Sequence, residues 1–336
     1  MKTDQSLTVS VAMCTYNGAR FLLEQLESFA KQTRLPNEVV VCDDGSTDNT
    51  LEILEKWAKN APFEVKIVQN EKNLGYSKNF EKALSLCAGD VIFLSDQDDV
   101  WLPTKIENMT NVFMKNPNIS VVYCEGQVID GDGKEHDLTY SQILLPRLNC
   151  SEVYYLTPNY KLGKSYAGCC SAVRKSVLNR ILPIPEGFTH DRWIFFTVPV
   201  IAEVHFCEEI LIHYRIHSSN ATQGQIIHNA MKLDMVRHFY RNATDNYFFI
   251  EPKIKTLRQW IIEQENTLKT SKTRYVLRWL HKNDSHFTNR SRIQRNAFKF
   301  FPLWVWEVIS FHYFQRNQSL HAVFYDIFCG IFRWKK

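Results

Sequence analysis

The sequence predicts an α/β protein built on a doubly wound, mostly parallel sheet, followed by a helical C-terminal extension. Three observations predict it. Short uninterrupted apolar runs of strand length alternate with helical periodicity through residue 124; such runs are buried on both faces, which places helices on both sides of a parallel sheet. The alternation then stops, and from Ile226 onward the pattern is helical. The 336 residues are 45% hydrophobic and 23% charged, with 12 Gly and 11 Pro. That composition excludes disordered, collagen-like and low-complexity classes, and the length suits roughly two domains.

The first strand is the run LTVSVAMC (7–14), broken by Thr15-Tyr16-Asn17-Gly18. Leu22, Leu26 and Phe29 then recur at helical spacing between Ala19 and Thr33. Pro36-Asn37 turns the chain into a second buried run, Val39–Cys42. Asp43–Asp48 follows as a turn and helix start, with Ser46 or Thr47 expected to cap and Asp48 at the positive end of the helix dipole. Leu51, Leu54, Trp57 and Ala58 form that helix's apolar stripe. Glu64–Gln69 is a short strand and Asn73-Leu74-Gly75 a loop. Phe80, Ala83, Leu84 and Cys87 mark the next helix, which Gly89 is expected to end as a C-terminal glycine. Val91–Leu94 is a strand ending in Ser95-Asp96-Gln97-Asp98-Asp99, and a helix at Pro103–Lys115 and a strand at Ile119–Cys124 close the series. Beyond it, Asp130–Gly133 is a hairpin turn and 137–164 is loop-rich. Ser165–Val173 reads as a strand and is followed by a short helix to Leu182. Thr189-His190-Asp191-Arg192-Trp193 opens an apolar helix to about Ala202, and Val204–Phe206 and Ile210–His217 read as two strands.

The nine cysteines form no CxxC pair and have no histidine at finger spacing; several lie in apolar runs, where a free thiol acts as a small hydrophobe. They predict reduced thiols, a cytosolic setting, no zinc site and no disulfide framework. The start, MKTDQSLTVSVAMC, lacks the basic head and apolar core of a secretory signal, and no run reaches the ~18 apolar residues of a membrane span. Charge is uneven: residues 251–336 hold 16 Lys/Arg against 6 Asp/Glu, whereas the first 250 hold 24 against 30. A basic tail rich in aromatics suits a polyanionic surface, membrane or nucleic acid.

In an open α/β sheet, ligands bind beyond the carboxyl ends of the strands, and here those ends carry Thr-Tyr-Asn, Asp-Asp-Gly-Ser and Asp-Gln-Asp-Asp. Asp43 and Asp44 alone fit an ordinary turn. Asp96, Asp98 and Asp99 are three carboxylates in four residues behind a buried strand, and a hard divalent cation with oxygen ligands offsets their repulsion. Such a cation shares its remaining positions with substrate phosphates. The chain has neither GxxxxGK[ST] nor GxGxxG after its first strand, which excludes P-loop nucleotidases and dinucleotide folds.

The pieces, in order, are Met13–Gly18, Cys42–Asp48, Asn73-Leu74-Gly75, Gly89–Trp101, Gly168-Cys169-Cys170, His190–Trp193 and Tyr214-Arg215-Ile216-His217. Together they resemble family 2 glycosyltransferases of the GT-A fold, in their bacterial rhamnosyltransferase-like branch, over about residues 7–220. The resemblance implies that Thr15, Tyr16 and Asp44 hold the nucleoside, Asp44 accepting from an imide N–H of uracil or thymine and Tyr16 stacking on the base. It places Asp96 at the ribose and Asp98 on Mn2+ or Mg2+. Asp191 becomes the general base that deprotonates the acceptor hydroxyl, so that the anomeric carbon is inverted in one step. His217 is either a further metal ligand or a plain surface histidine. Lys78 is a loose match to a phosphate-binding position, and Arg192 departs from the family pattern. Trp101 and Trp193 read as packing residues rather than sugar platforms.

The implied partners are a UDP- or dTDP-sugar donor and a glycan or lipid-linked glycan acceptor of a capsule, O-antigen or cell-wall polysaccharide. The implied division is 1–220, nucleotide-sugar binding and catalysis, and 221–336, a helical, basic and aromatic region matching nothing in the family. Aromatics and basic residues interleave from Phe298 to Trp334, predicting two amphipathic helices in a membrane interface and a peripheral location on the inner face of the cell membrane. The same residues also suit a helical subdomain or a homo-oligomer interface; nucleic acid is not expected. Two other functions compete: a receiver-like phospho-accepting switch, which also pairs aspartates at a strand end, and a degenerate transferase serving as a scaffold.

Overall fold

The computed structural model describes residues 7–142, 167–220, 255–264, 274 and 276–278. The strands are β1 (Val9–Thr15), β2 (Glu38–Asp43), β3 (Glu64–Gln69), β4 (Val91–Ser95), β5 (Val100–Trp101), β6 (Ile119–Ile129), β7 (Glu135–Thr139), β8 (Ser171–Arg174) and β9 (Glu203–Arg215). The helices packed with them are α1 (Leu22–Ala30), α2 (Thr50–Ala58), α3 (Tyr76–Leu86), α4 (Lys105–Lys115), α5 (Lys175–Ile181) and α6 (His190–Ile201). The result is a mixed α/β fold on a mostly parallel sheet.

The sheet runs β3-β2-β1-β4-β8-β6-β9-β5, with β7 paired to β6. From β3 to β4 all pairings are parallel. Every residue of β1 and β4 is buried, as is β2 beyond Glu38, as their continuous apolar runs demand. β3 stands at the edge and is half exposed. β8 inserts antiparallel between β4 and β6, and β6 and β9 pair in parallel over almost their whole length. Leu22, Leu26 and Phe29 of α1, Leu54 and Trp57 of α2, and Ile106, Met109 and Phe113 of α4 join the strands in one core.

Several local expectations change. Ser165–Val173 is not one strand: Gly168–Cys170 form a 3-10 turn and β8 starts only at Ser171. Val204–Phe206 and Ile210–Arg215 lie in one strand, β9, which ends before Ile216 and His217, with register shifts between Ile119 and Val121, between Tyr123 and Glu125 and between Glu125 and Gly126. α3 ends at Cys87 in an extended conformation, so Gly89 is not its cap. Glycine stands at 89 because a Cβ there would lie 2.6 Å from Ser10 Oγ and 2.8 Å from Ser10 N. Neither Ser46 nor Thr47 caps α2; Asp48 does the local bonding, accepting from Thr50 N at 3.0 Å. The Asp130–Gly133 turn joins β6 to β7 as expected, and Thr189 caps α6, accepting from Arg192 N.

The described residues fall into two compact units, one holding 7–142 and 167–220, the other 255–264, 274 and 276–278, in which Leu257 and Ile261 are buried one turn apart. No helix among the described residues is long and apolar enough to cross a membrane. The aromatic tail from Phe298 to Trp334 lies outside the described residues.

Candidate active site

Because β2, β1 and β4 are parallel neighbours, their carboxyl ends align and bring together three loops distant in sequence. Thr15 is buried, its hydroxyl donates to Asp43 Oδ2 at 2.8 Å, and its carbonyl accepts from Asp44 N at 2.8 Å. Asp43 closes the turn by accepting from Gly45 N and Ser46 N, with Gly45 at φ +84°. Both residues thus shape the loop. Asp44 is also buried, and takes bonds from Asn70 Nδ2 (2.8 Å), Leu74 N (2.7 Å) and Gly75 N (2.9 Å). These three bonds fill most of the roughly four acceptor positions of a carboxylate. Asp44 also sets the Asn73-Leu74-Gly75 loop, an anchor that its place in a turn motif did not reveal.

Tyr16 is 50% exposed at the end of β1. Its N–H donates to Gln97 Oε1 at 2.8 Å, and its carbonyl accepts from Gln97 Nε2 at 3.1 Å. Gln97 lies inside the Asp-Gln-Asp-Asp run, and its place among three acids gives no sign in the sequence of this role.

Asp98 and His217, 119 residues apart, meet: His217 Nε2 lies 2.8 Å from Asp98 Oδ2, and Asn220 Nδ2 donates to the same oxygen at 3.0 Å. The His217 ring packs on Phe21 with centroids 4.5 Å apart. His217 is thus tied to the acidic loop, with its side chain only 8% exposed. Asp99 accepts from Arg215 N at 3.0 Å through Oδ1, while its Oδ2 is buried without a hydrogen bond. Burial, then the charges of Asp98 and Asp96, push the Asp99 carboxyl well up. Burial, then Asp98 and Asp191, raise Asp96 to about 7. Burial first, and the neighbouring carboxylates after it, raise these groups, and Asp99 Oδ2 lacks a partner; a divalent cation would offset both. Asp98 Oδ2 and His217 Nε2 are an oxygen and an imidazole donor suited to Mn2+. Asp96, Asp99 and Cys169 also cluster, with ligand atoms within 4.8 Å of one another. Cys169 is a soft donor whose thiol a bond with Cys170 and burial push well up, so that trio suits Mg2+ or Mn2+ less.

Arg215, to which the sequence alone assigns no role, ties these parts together from a position 2% exposed. Its Nε donates to the Asp98 carbonyl at 2.8 Å, its Nη1 to the Asp130 carbonyl at 3.3 Å, and its Nη2 pairs with Glu24. The guanidinium carbon sits 4.9 Å from the Phe21 ring centre.

Asp191 stands in the first turn of α6. Its Oδ1 takes the Thr189 hydroxyl and Arg192 N (2.7 Å). Its charge contributes to raising Asp96, so it lies within electrostatic reach of the acidic loop. His190 is stacked on Phe80 at 3.8 Å, and burial lowers its pKa, so it is a neutral wedge. Gly168 packs against it: a Cβ there would lie 2.5 Å from His190 Nε2 and 3.7 Å from Asp191 Cβ. Lys78 is engaged by Glu81 and the Ile184 carbonyl, each at 2.8 Å. Trp101 and Trp193 are buried, as packing residues are.

The family model described as Glycosyl transferase family 2 matches residues 10–182. An uncharacterized glycosyltransferase of Nostoc sp. is 29% identical over 64% of this chain and 66% of its own length. The Escherichia coli enzyme WfgD, a UDP-Glc:alpha-D-GlcNAc-diphosphoundecaprenol beta-1,3-glucosyltransferase, is 25% identical over 72% of this chain and 90% of its own. Among solved structures, the mannosyltransferase PcManGT of Pyrobaculum calidifontis, in complex with GDP-Man and Mn2+, aligns at TM-score 0.51 and 17% identity, over 98% of this chain and 87% of that one. That likeness concerns the fold.

Proposed function

Since the chain belongs to glycosyl transferase family 2, we propose that it moves a sugar from a UDP- or dTDP-sugar to a hydroxyl of a surface-glycan acceptor, with inversion and with help from Mn2+ or Mg2+. The observation that carries this reading is the meeting of Asp98 with His217 beside Asp96, within electrostatic reach of Asp191. A receiver-like switch uses neither a late histidine nor an acid on a remote helix.

Tyr16 offers its exposed ring to the base, and Asp44 offers its remaining acceptor position to an imide N–H. Thr15 acts through the loop that it braces. Asp96 faces the ribose side of the donor. Asp98 and His217 are the residues to hold the cation, which when bound neutralises the leaving diphosphate. Asp191 Oδ2 takes the proton from the acceptor hydroxyl. The acceptor oxygen bonds to the anomeric carbon as the carbon–diphosphate bond breaks on the opposite face, and the nucleoside diphosphate leaves with that electron pair.

The printed activity of WfgD, glucosyl transfer onto a diphosphoundecaprenol-linked sugar, supports a lipid-linked glycan as acceptor. It also supports a hexose as the sugar transferred, beside the rhamnose that the motifs suggest. We assign 1–220 to catalysis and propose that the aromatic, basic sequence within 221–336 holds the enzyme on the inner face of the membrane; flotation with anionic vesicles tests this, and an unbound full-length chain at low salt refutes it. The main test is thermal shift with UDP and with dTDP, each with and without Mn2+. Metal-dependent stabilisation by one nucleotide is expected. None with either nucleotide would favour a degenerate scaffold.

A further inference from the structure

We propose that Gln97 is a positioning residue that couples cation binding at Asp98 to nucleoside binding at Tyr16; the proposal rests on the nucleotide-sugar reading and deepens it. Tyr16 lies just past the end of β1, where the ladder no longer holds its backbone. Both of its main-chain polar groups are instead met by one side chain, the Gln97 amide, at 2.8 and 3.1 Å. Gln97 stands between Asp96 and Asp98, so its own backbone moves with the two carboxylates that flank it.

The absence of a side chain at Gly18 makes room for the amide. A Cβ built on Gly18 would fall 2.1 Å from Gln97 Oε1 and 2.4 Å from its Cδ, which shows how closely the amide lies against the Tyr16–Gly18 turn. The far side of that turn is fastened as well. Asn17 N donates to Ser46 Oγ at 2.9 Å, Gly18 N to Thr50 Oγ1 at 2.9 Å, and Ala19 N to Asp48 Oδ2 at 3.1 Å. Asn17 itself adopts φ +49°. Tyr16 is thus held between the rigid turn after β2 and the acidic loop after β4. A cation bound at Asp98 adds a further restraint to the backbone of the acidic loop, and Gln97 passes that restraint to Tyr16.

Coupling of this kind is reciprocal by linkage, and typical couplings change affinity by about fivefold or more. It is separable from the direct bond between cation and phosphate by using a ligand with no phosphate. Uridine and thymidine are titrated by equilibrium dialysis into the full chain, with and without saturating Mg2+. One of them is expected to bind about fivefold more tightly with the cation. The same nucleoside is expected to tighten Mn2+, followed by the spin resonance of the free ion, by the same factor. Gln97→Ala should reduce both effects to less than about twofold, while the nucleoside diphosphate with cation still stabilises the protein. Gln97→Glu keeps an acceptor for Tyr16 N–H and loses the donor to its carbonyl; it serves if the alanine variant does not melt cooperatively, and should also weaken the coupling. Equal nucleoside affinity with and without cation in the wild type, or full coupling in both variants, would overturn the proposal. If UDP and dTDP themselves fail to bind with either cation, the nucleotide-sugar reading fails, and this proposal with it.

Discussion

Gly168→Ala is the sharpest probe of how Asp191 is held. The added methyl would stand 2.5 Å from His190 Nε2, where ordinary contact begins near 3.4 Å, an overlap of about 1 Å. His190 cannot retreat, because its ring is stacked on Phe80 at 3.8 Å and is buried. Gly168 has no positive φ, so the substitution adds no backbone strain and the effect is one of packing alone. Overpacking of this size costs about 1–3 kcal/mol. The displacement is relieved through the first turn of α6, where His190 adjoins Asp191. A shift of the order of 1 Å at a reacting group costs about 10²-fold in rate. The expected variant therefore melts at a lower temperature, binds UDP or dTDP with Mn2+ as the wild type does, and turns over about 10²-fold more slowly. The assay pairs nucleotide titration with transfer, or with slow donor hydrolysis where no acceptor is at hand. Unchanged kcat together with an unchanged melting temperature would refute the argument that Gly168 and His190 set the position of Asp191.

Asp98→Asn should keep the fold and lose about 10²–10³ in rate, the usual cost of removing a preorganised electrostatic element; full activity at saturating Mn2+ would remove Asp98 from the metal site. Asp191→Asn should lose about 10²–10⁴ in transfer while retaining nucleotide and metal affinity, and a defect confined to donor affinity would make Asp191 a binding residue. The raised carboxyl of Asp96, at about 7, gives a pH effect of definite sign. Between its unfolded and folded pKa values the native state binds the extra proton, so metal-free protein loses stability as pH rises toward and through 7. Between pH 6 and 8 the loss is about 1 kcal/mol. Calorimetry without metal should show melting temperature falling over that interval from this contribution, and saturating Mn2+ should flatten the slope. A metal-free melting temperature that rises from pH 6 to 8, or an unflattened fall with Mn2+, would contradict the assignment.

The front of the fold was legible because β1, β2 and β4 are uninterrupted apolar runs, a pattern that only doubly covered strands require. The second half was less so. Gly168-Cys169-Cys170-Ser171-Ala172-Val173 consists of small residues that suit a turn or a strand equally, and β4 and β6 decide where β8 begins. Cys207-Glu208-Glu209 breaks the apolar pattern of β9, yet the strand passes through because β6 pairs along it on both sides of the break. Gly89 illustrates a right residue with a wrong reason: its neighbour in space is Ser10, not the end of its own helix. At the site the carboxylates stood out through their place at strand ends. Gln97, Arg215 and His190 did not, since each acts through partners more than 80 residues away or, for His190, through a ring and a glycine that no local pattern links to it.

The insertion of β8 between β4 and β6 has a consequence for how the chain is made. Synthesis delivers β4 and β6 well before β8, so each presents an open hydrogen-bonding edge, lined by buried-type residues, until residue 174 has left the ribosome. β6 acquires its parallel partner β9 only after residue 203. A half-made chain is therefore a template for pairing with its neighbours on the same message, and the segment that brings Gly168 and Asp191 to the acidic loop is also the one that closes the sheet against aggregation.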